Sequence, residues 1–274
     1  MRTIPRHLVR FAAFTSVIAC VSLPELASAA KKTCTNSWLN GSYVLSIGGF
    51  ITPAPPPQFQ LGVYSPVAIV GTFTFDGKGH AARSLMVNAA GQPFHVSDSG
   101  AYQLNPDCSG TASFTTNNET FSFSLIDDEM LSIVSTTPGE SGSGTLTKQD
   151  IAHCNSHTLR GVHIFNGNGL GTFQNPPQTA DAFFPVAISG TWTFDGEGIV
   201  SRSLALSFAG YPGPYDDSGS YQVNSDCTAL VYFPSDTETF QLIVIDEKRA
   251  VFGVAALGRL GTGTLIKQQL PTRD

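Results

Sequence analysis

The chain has 274 residues, of which 13% are charged, and it carries 27 glycines and 17 prolines. A formal net charge of −6 argues against nucleic acid and anionic membrane as partners, since both attract surfaces rich in Lys and Arg. Sparse charge with many small residues suits short strands and turns better than helices.

Residues 1–30 read as a signal peptide. Arg2, Arg6 and Arg10 precede an apolar run, Phe11 to Leu23, that is too short to span a bilayer, and Ala27-Ser28-Ala29 supplies a small-residue cleavage pattern. A secreted or periplasmic location is therefore expected. Lipid anchoring at Cys20, after Val17-Ile18-Ala19, is the alternative, and the apolar run continuing past that cysteine speaks against it. No later stretch reaches the ~20 consecutive apolar residues of a membrane helix. Without residues 1–30, which hold three arginines and Glu25, twelve basic and twenty acidic residues remain, a net charge of −8.

The chain then repeats itself. A shift of 119 residues places Pro66-Val67-Ala68-Ile69 on Pro185-Val186-Ala187-Ile188 and Thr74-Phe75-Asp76-Gly77 on Thr193-Phe194-Asp195-Gly196. The same shift places Arg83-Ser84-Leu85 on Arg202-Ser203-Leu204, Asp98-Ser99-Gly100 on Asp217-Ser218-Gly219, and Glu119-Thr120-Phe121 on Glu238-Thr239-Phe240. Near the start of each copy the shift is 120, which sets Cys34 on Cys154. A period this long exceeds that of solenoid units, and each copy is large enough to enclose its own core. Two domains are expected, 31–150 and 151–274. If each closes itself, the four cysteines pair as Cys34 with Cys108 and Cys154 with Cys227, as an oxidising compartment allows.

In the first copy, β-rich segments separated by turn signals predict strands near 42–48, 66–75, 79–88, 99–105, 110–116, 119–126, 130–136 and 143–149. Asp76-Gly77-Lys78-Gly79 and Asp127-Asp128-Glu129 read as tight turns, and Asp195 and Asp246 repeat them in the second copy. About eight sequential strands with short links favour an all-β architecture of two tandem antiparallel meander barrels, with β-sandwiches as the alternative. Alternation turns Val67, Ile69, Phe73 and Phe75 inward, along with Val186, Ile188, Trp192 and Phe194.

The same parity puts Arg83 and Glu119, and in the second copy Arg202 and Glu238, on faces that are otherwise apolar. A buried charge is costly without a partner, so Arg83 is expected to pair with Glu119 and Arg202 with Glu238, with Tyr102 and Tyr221 on a neighbouring strand. These six residues are the candidate ligand-binding set. His153-Cys154-Asn155-Ser156-His157 superficially resembles a metal site, but the disulfide takes the cysteine and the first copy has Thr33 and Ser37 at the matching places. No metal, cofactor or catalytic residue is expected, and the chain has neither a Gly-x-Ser-x-Gly elbow nor a phosphate loop. The connections Gly48–Ser65 and Gly167–Phe184 are long and rich in Gly and Pro, and they differ between copies, as binding loops do.

Cys34-Thr35-Asn36 with Leu39-Asn40-Gly41-Ser42-Tyr43, then Phe75-Asp76-Gly77-Lys78-Gly79, Ser99-Gly100-Ala101-Tyr102 and Asn105-Pro106-Asp107-Cys108, resembles a tandem β-repeat family of uncharacterised exported bacterial proteins. That resemblance implies a bacterial secreted β-protein and no activity. The Gly41-x-Tyr43 start and the meander are also similar to calycin and allene oxide cyclase barrels, although Tyr43 or His163 stands where calycins carry tryptophan and the arginine lies on an early strand. The expected function is that of an exported, non-catalytic binding protein that engages a small apolar ligand, or a protein or glycan surface, through its long loops. The alternatives are a cyclase- or isomerase-type enzyme using the Arg, Glu and Tyr cluster, and a structural envelope or matrix protein.

Overall fold

A computed structural model of the chain describes residues 33–52, 64–151, 153–172, 183–235 and 237–269. The expected signal peptide and Cys20 lie outside the described residues, as do positions 53–63 and 173–182 of the two long connections. Two closed antiparallel barrels of eight strands each form one compact unit, Thr33–Asp274. The first barrel runs β1 (Asn40–Ile51), β2 (Ser65–Asp76), β3 (His80–Ala89), β4 (Gln92–Leu104), β5 (Ser109–Phe114), β6 (Thr120–Leu125), β7 (Met130–Ser135) and β8 (Glu140–Lys148). The second runs β9 (Gly161–Gly171), β10 (Phe184–Phe194), β11 (Ile199–Phe208), β12 (Tyr211–Val223), β13 (Thr228–Phe233), β14 (Glu238–Val244), β15 (Arg249–Val254) and β16 (Arg259–Lys267).

Each strand pairs with its neighbours in sequence, and the first closes on the last: β1 with β8, and β9 with β16. Closure rules out the sandwich alternative and leaves no sheet edge to template aggregation. The turns form as their sequences imply. The Asp76 carboxylate accepts from the backbone N–H groups of Lys78, Gly79 and His80, and Asp195 repeats the arrangement with Glu197, Gly198 and Ile199. These bonds hold both carboxyls below the usual carboxylate range.

One end of each barrel is plugged. A short 3-10 turn, Asn36–Trp38 in the first barrel and Ser156–Leu159 in the second, lies beside a disulfide, Cys34–Cys108 or Cys154–Cys227. Bridges of this kind fit an oxidising compartment, and no helix among the described residues is long and apolar enough to cross a membrane. Tyr102 Oη donates to the Leu39 carbonyl at 3.0 Å and Tyr221 Oη to the Ser156 carbonyl at 3.0 Å, so the two tyrosines tie the plug to the wall. Above the plug the interior is aromatic. Phe73 meets Phe114 and Phe121 edge-on, and Trp192 stacks on Phe165 at 4.7 Å while meeting Phe233 and Phe240 edge-on.

The two barrels share a third core that strand alternation does not reveal. Val44, Val70 and Met86 point out of the first barrel and pack against Ile243, Ile245 and Val251 of the second. Asn88, at the end of β3, reaches across the seam: its Nδ2 donates to the carbonyls of Val254 and Arg259, each at 2.7 Å. Beside it, Gly258 N–H donates to the Gly91 carbonyl at 2.9 Å. Gly91 must be glycine, because a β-carbon there would stand 2.7 Å from the Gly258 Cα at a φ of +75°. The seam uses different faces of the two copies, a head-to-tail contact that would propagate if repeated. The equivalent faces left free carry Ser189 and Ala205 in place of Val70 and Met86, and Ser124 and Ser132 in place of Ile243 and Val251.

Candidate functional site

In both barrels an ion-pair cluster sits on top of the aromatic layer. Arg83 on β3 stands directly opposite Asp98 on β4 in the sheet register, and Arg202 on β11 stands opposite Asp217 on β12. Arg83 Nε donates to Asp98 Oδ1 at 2.6 Å, Nη2 donates to Asp98 Oδ2 at 3.3 Å, and Nη1 donates to Glu119. Arg202 repeats this: Nε to Asp217 Oδ1 at 2.5 Å, Nη2 to Oδ2 at 3.1 Å, and Nη1 to Glu238 Oε2 at 2.6 Å. Each guanidinium lies over a ring below it, Phe114 at 4.2 Å and Phe233 at 3.8 Å. The bidentate grip, the third bond and the ring face together offset the cost of taking the arginine out of water.

The electrostatics follow from that geometry. Burial alone would lower the Arg202 pKa, but the hydrogen bonds to Asp217 and the charge of Glu238 outweigh it and hold the guanidinium above its ordinary value. Burial likewise opposes ionisation of Asp98, and the bonds from Arg83 and from the Thr116 backbone win, lowering its pKa. Arg83 therefore pairs with Glu119 and Arg202 with Glu238, as parity implies. Asp98 and Asp217 are the partners that parity missed. They are visible in the repeat as Asp98-Ser99-Gly100 and Asp217-Ser218-Gly219, but β4 begins at Gln92 rather than near residue 99, so they lie inside a strand that the turn signals cut short.

Tyr102 and Tyr221 do not join the cluster. Tyr102 is four residues beyond Asp98 on β4, about 14 Å along an extended strand, and its hydroxyl is engaged by the plug. The constellation with Tyr102 or Tyr221 is thus not assembled; in the second barrel the tyrosine at the cluster is Tyr215, whose ring lies 4.8 Å from the Arg202 guanidinium. Among the aromatic residues of the two long connections, Phe50 belongs to β1 and Phe184 to β10, both partly exposed, and Tyr64 is also exposed. Phe59 and Phe173 lie outside the described residues.

The two clusters differ in the sign of a charge at one position. The residue that faces the pair from the start of the last strand is Glu140 in the first barrel and Arg259 in the second. Glu140 accepts from Ser135 Oγ at 2.7 Å, and its pKa is raised by burial and by the Glu119 charge, against the Ser135 bond. Arg259 Nη1 instead donates to Glu238 Oε1 at 2.5 Å. Among the described residues, the first cluster therefore sets one arginine against three carboxylates, whereas in the second Arg202 and Arg259 both bond Glu238.

Above the second cluster lies a cavity of about 500 Å³. Its walls include Val186, Ile188, Leu204, Leu206, Phe208 and Val254, and Arg202, Glu238 and Arg259 supply its polar floor and rim. Where β1 turns Ile47 and Ile51 inward, β9 has Gly167 and Gly171, and aromatic rings take the freed space: a β-carbon on Gly167 would meet Phe252 at 2.4 Å and one on Gly171 would meet Phe208 at 2.8 Å.

No protein-family model and no curated protein matches the chain. Among solved structures, one similar chain is a DUF3598-family protein of unknown function from Nostoc punctiforme, with 9% identity and a TM-score of 0.27, covering 85% of this chain and 99% of that one. At that TM-score the likeness carries no argument about what this chain does.

Proposed function

We propose that the protein is an exported, non-catalytic binding protein whose second barrel receives a small, mostly apolar ligand. The cavity of about 500 Å³ above the Arg202–Glu238 pair carries this reading. Its size falls within the ~300–1,000 Å³ of small-molecule sites, and an apolar wall with a few converging polar groups is what such sites present. Against catalysis, Arg202 commits Nε, Nη1 and Nη2 to carboxylates, and Glu238 is bonded by both Arg202 and Arg259. A carboxylate held this way serves as an acceptor and is a poor proton-transfer base.

The test uses the full chain purified from its own host. Native mass spectrometry is expected to show a co-purified small molecule, and titration with dodecan-1-ol is expected to show saturable binding that Leu206→Trp abolishes by filling the cavity. Failure of the alcohol to bind, or equal binding by the Leu206→Trp protein, overturns the reading.

A further inference from the structure

Both barrels open toward the same side of the molecule. At one end of the seam the Gly258 N–H meets the Gly91 carbonyl, joining the β15–β16 and β3–β4 turns of the two open rims. At the other end the Asp150 N–H donates to the Ile245 carbonyl at 2.9 Å and Gln149 Nε2 donates to the Val244 carbonyl at 2.7 Å, which joins the plugged ends. Charge is divided between these two sides. Among the described residues, every Asp, Glu, Lys, Arg and His outside the two ion clusters belongs to the plugged side, in turns such as Asp127-Asp128-Glu129 and Asp246-Glu247-Lys248, except Asp216 and His95 on the outer walls.

The open side carries apolar side chains instead. Tyr211 is 80% exposed, Leu257 54%, Phe94 48% and Phe50 47%. All four lie at the open ends: Phe50 near the end of β1, Phe94 near the start of β4, Tyr211 at the start of β12, and Leu257 in the β15–β16 turn. Exposed apolar surface gathered on one face marks a site of contact. Exposed isoleucines also occur on the plugged side, Ile126, Ile199 and Ile266, but each stands within two residues of a charge, Asp127, Glu197 or Lys267. Proline is placed at the open rims as well, at Pro66, Pro93, Pro138, Pro185, Pro212 and Pro234. Each removes a backbone N–H that an apolar surrounding would leave unbonded.

We propose that this open face seats on a neutral, zwitterionic lipid surface, with Tyr211, Phe94, Phe50 and Leu257 entering the headgroup layer. Aromatic rings favour that layer, which accommodates both an apolar body and a polar edge. The net charge of −6 is repelled by an anionic surface. A protein partner is ordinarily steered and fixed in register by complementary charge, which among the described residues this rim supplies nowhere outside the clusters. The second lumen opens on the same side, between the ends of β9 and β11 at Gly171, Thr172 and Phe208, so an apolar ligand entering it from lipid would bypass water. The docking surface stands without that reading of the lumen.

The probe is a vesicle of phosphatidylcholine alone, mixed with the full chain purified from its own host and separated by flotation. Wild type is expected to float with the vesicles, and salt should not displace it, since no ion pair with lipid is involved. Tyr211→Ser and Phe94→Ser should each weaken partitioning about tenfold, the equivalent of withdrawing one partly buried ring from an apolar layer. Ile199→Ser removes an exposed apolar side chain from the plugged side and should bind as wild type does. The thermal transition should not move in any of the three; if Phe94→Ser lowers it, Tyr211→Ser carries the comparison alone. Failure of wild type to float, flotation that requires anionic lipid, no effect of Tyr211→Ser, or equal weakening by Ile199→Ser overturns the proposal. So does a dimer that Tyr211→Ser dissociates and that does not float, because the face then belongs to a second copy. None of these outcomes touches the binding of dodecan-1-ol, which reports on the lumen separately.

Discussion

His163 should make the second barrel labile to acid. It sits on β9 with its ring edge-on to Phe194 at 5.3 Å, it is buried, and its Nδ1 has no hydrogen-bond partner among the described residues. Burial, opposed by a hydrogen bond with the Gly161 backbone, lowers its pKa to about 4 from an ordinary 6.5. The folded state therefore favours the neutral ring. As pH falls below about 6.5 the unfolded chain takes up a proton that the folded chain refuses, and stability declines until pH reaches about 4. At 1.36 kcal/mol per pH unit the loss attributable to this one side chain is ~3 kcal/mol. The perturbation is His163→Phe, which keeps a ring where the first barrel packs Tyr43 against Phe75. The assay is guanidinium unfolding of both proteins in a Trp38→Phe background, so that Trp192 alone reports, at several values between about pH 7.5 and pH 4. Carboxylates contribute the same slope to each, so the difference isolates the imidazole. Wild type should lose ~3 kcal/mol more than the variant over that range, and parallel curves would refute the reasoning.

Three further outcomes follow from the ion clusters, the seam and the disulfides. Arg83→Met should destabilise by ~3–5 kcal/mol, because it leaves Asp98, Glu119 and Glu140 without their cation. Arg202→Met should cost less, since Arg259 still bonds Glu238; thermal melts near neutral pH should rank the two in that order, and the Arg83→Met deficit should shrink as acid protonates the stranded carboxylates. Asn88→Leu should lose ~2 kcal/mol through the two unmet carbonyls of Val254 and Arg259, with faster amide exchange confined to the β15–β16 turn; exchange that quickens throughout the barrel would contradict that assignment. Opening Cys154–Cys227, a loop of 73 residues, by a double serine substitution should lower stability by ~4 kcal/mol on the chain-entropy estimate, measured as a drop in the guanidinium midpoint of the second barrel.

Sequence alone determined the all-β class, the internal duplication, the two disulfide pairs and the Arg–Glu pairing. Each rests on local or periodic information: a two-residue alternation, a 119-residue shift, and the rule that a buried charge needs a partner. Tertiary structure decided the rest. Val70 and its equivalent Ser189 occupy the same place in the same strand, yet only Val70 is buried, because a second barrel lies against it. The trace of that seam in the sequence is the asymmetry of Val70 and Met86 against Ser189 and Ala205, which alternation within one strand does not register. Tyr102 shares an inward face with Arg83 but belongs to the plug, since parity gives the side of a sheet and says nothing of the height along a barrel. Glu140 and Arg259 meet their clusters only once β8 and β16 close on β1 and β9. Closure brings together residues that lie far apart in the chain, and it is there, where Arg259 replaces Glu140 beside the cavity, that the second copy departs from the first.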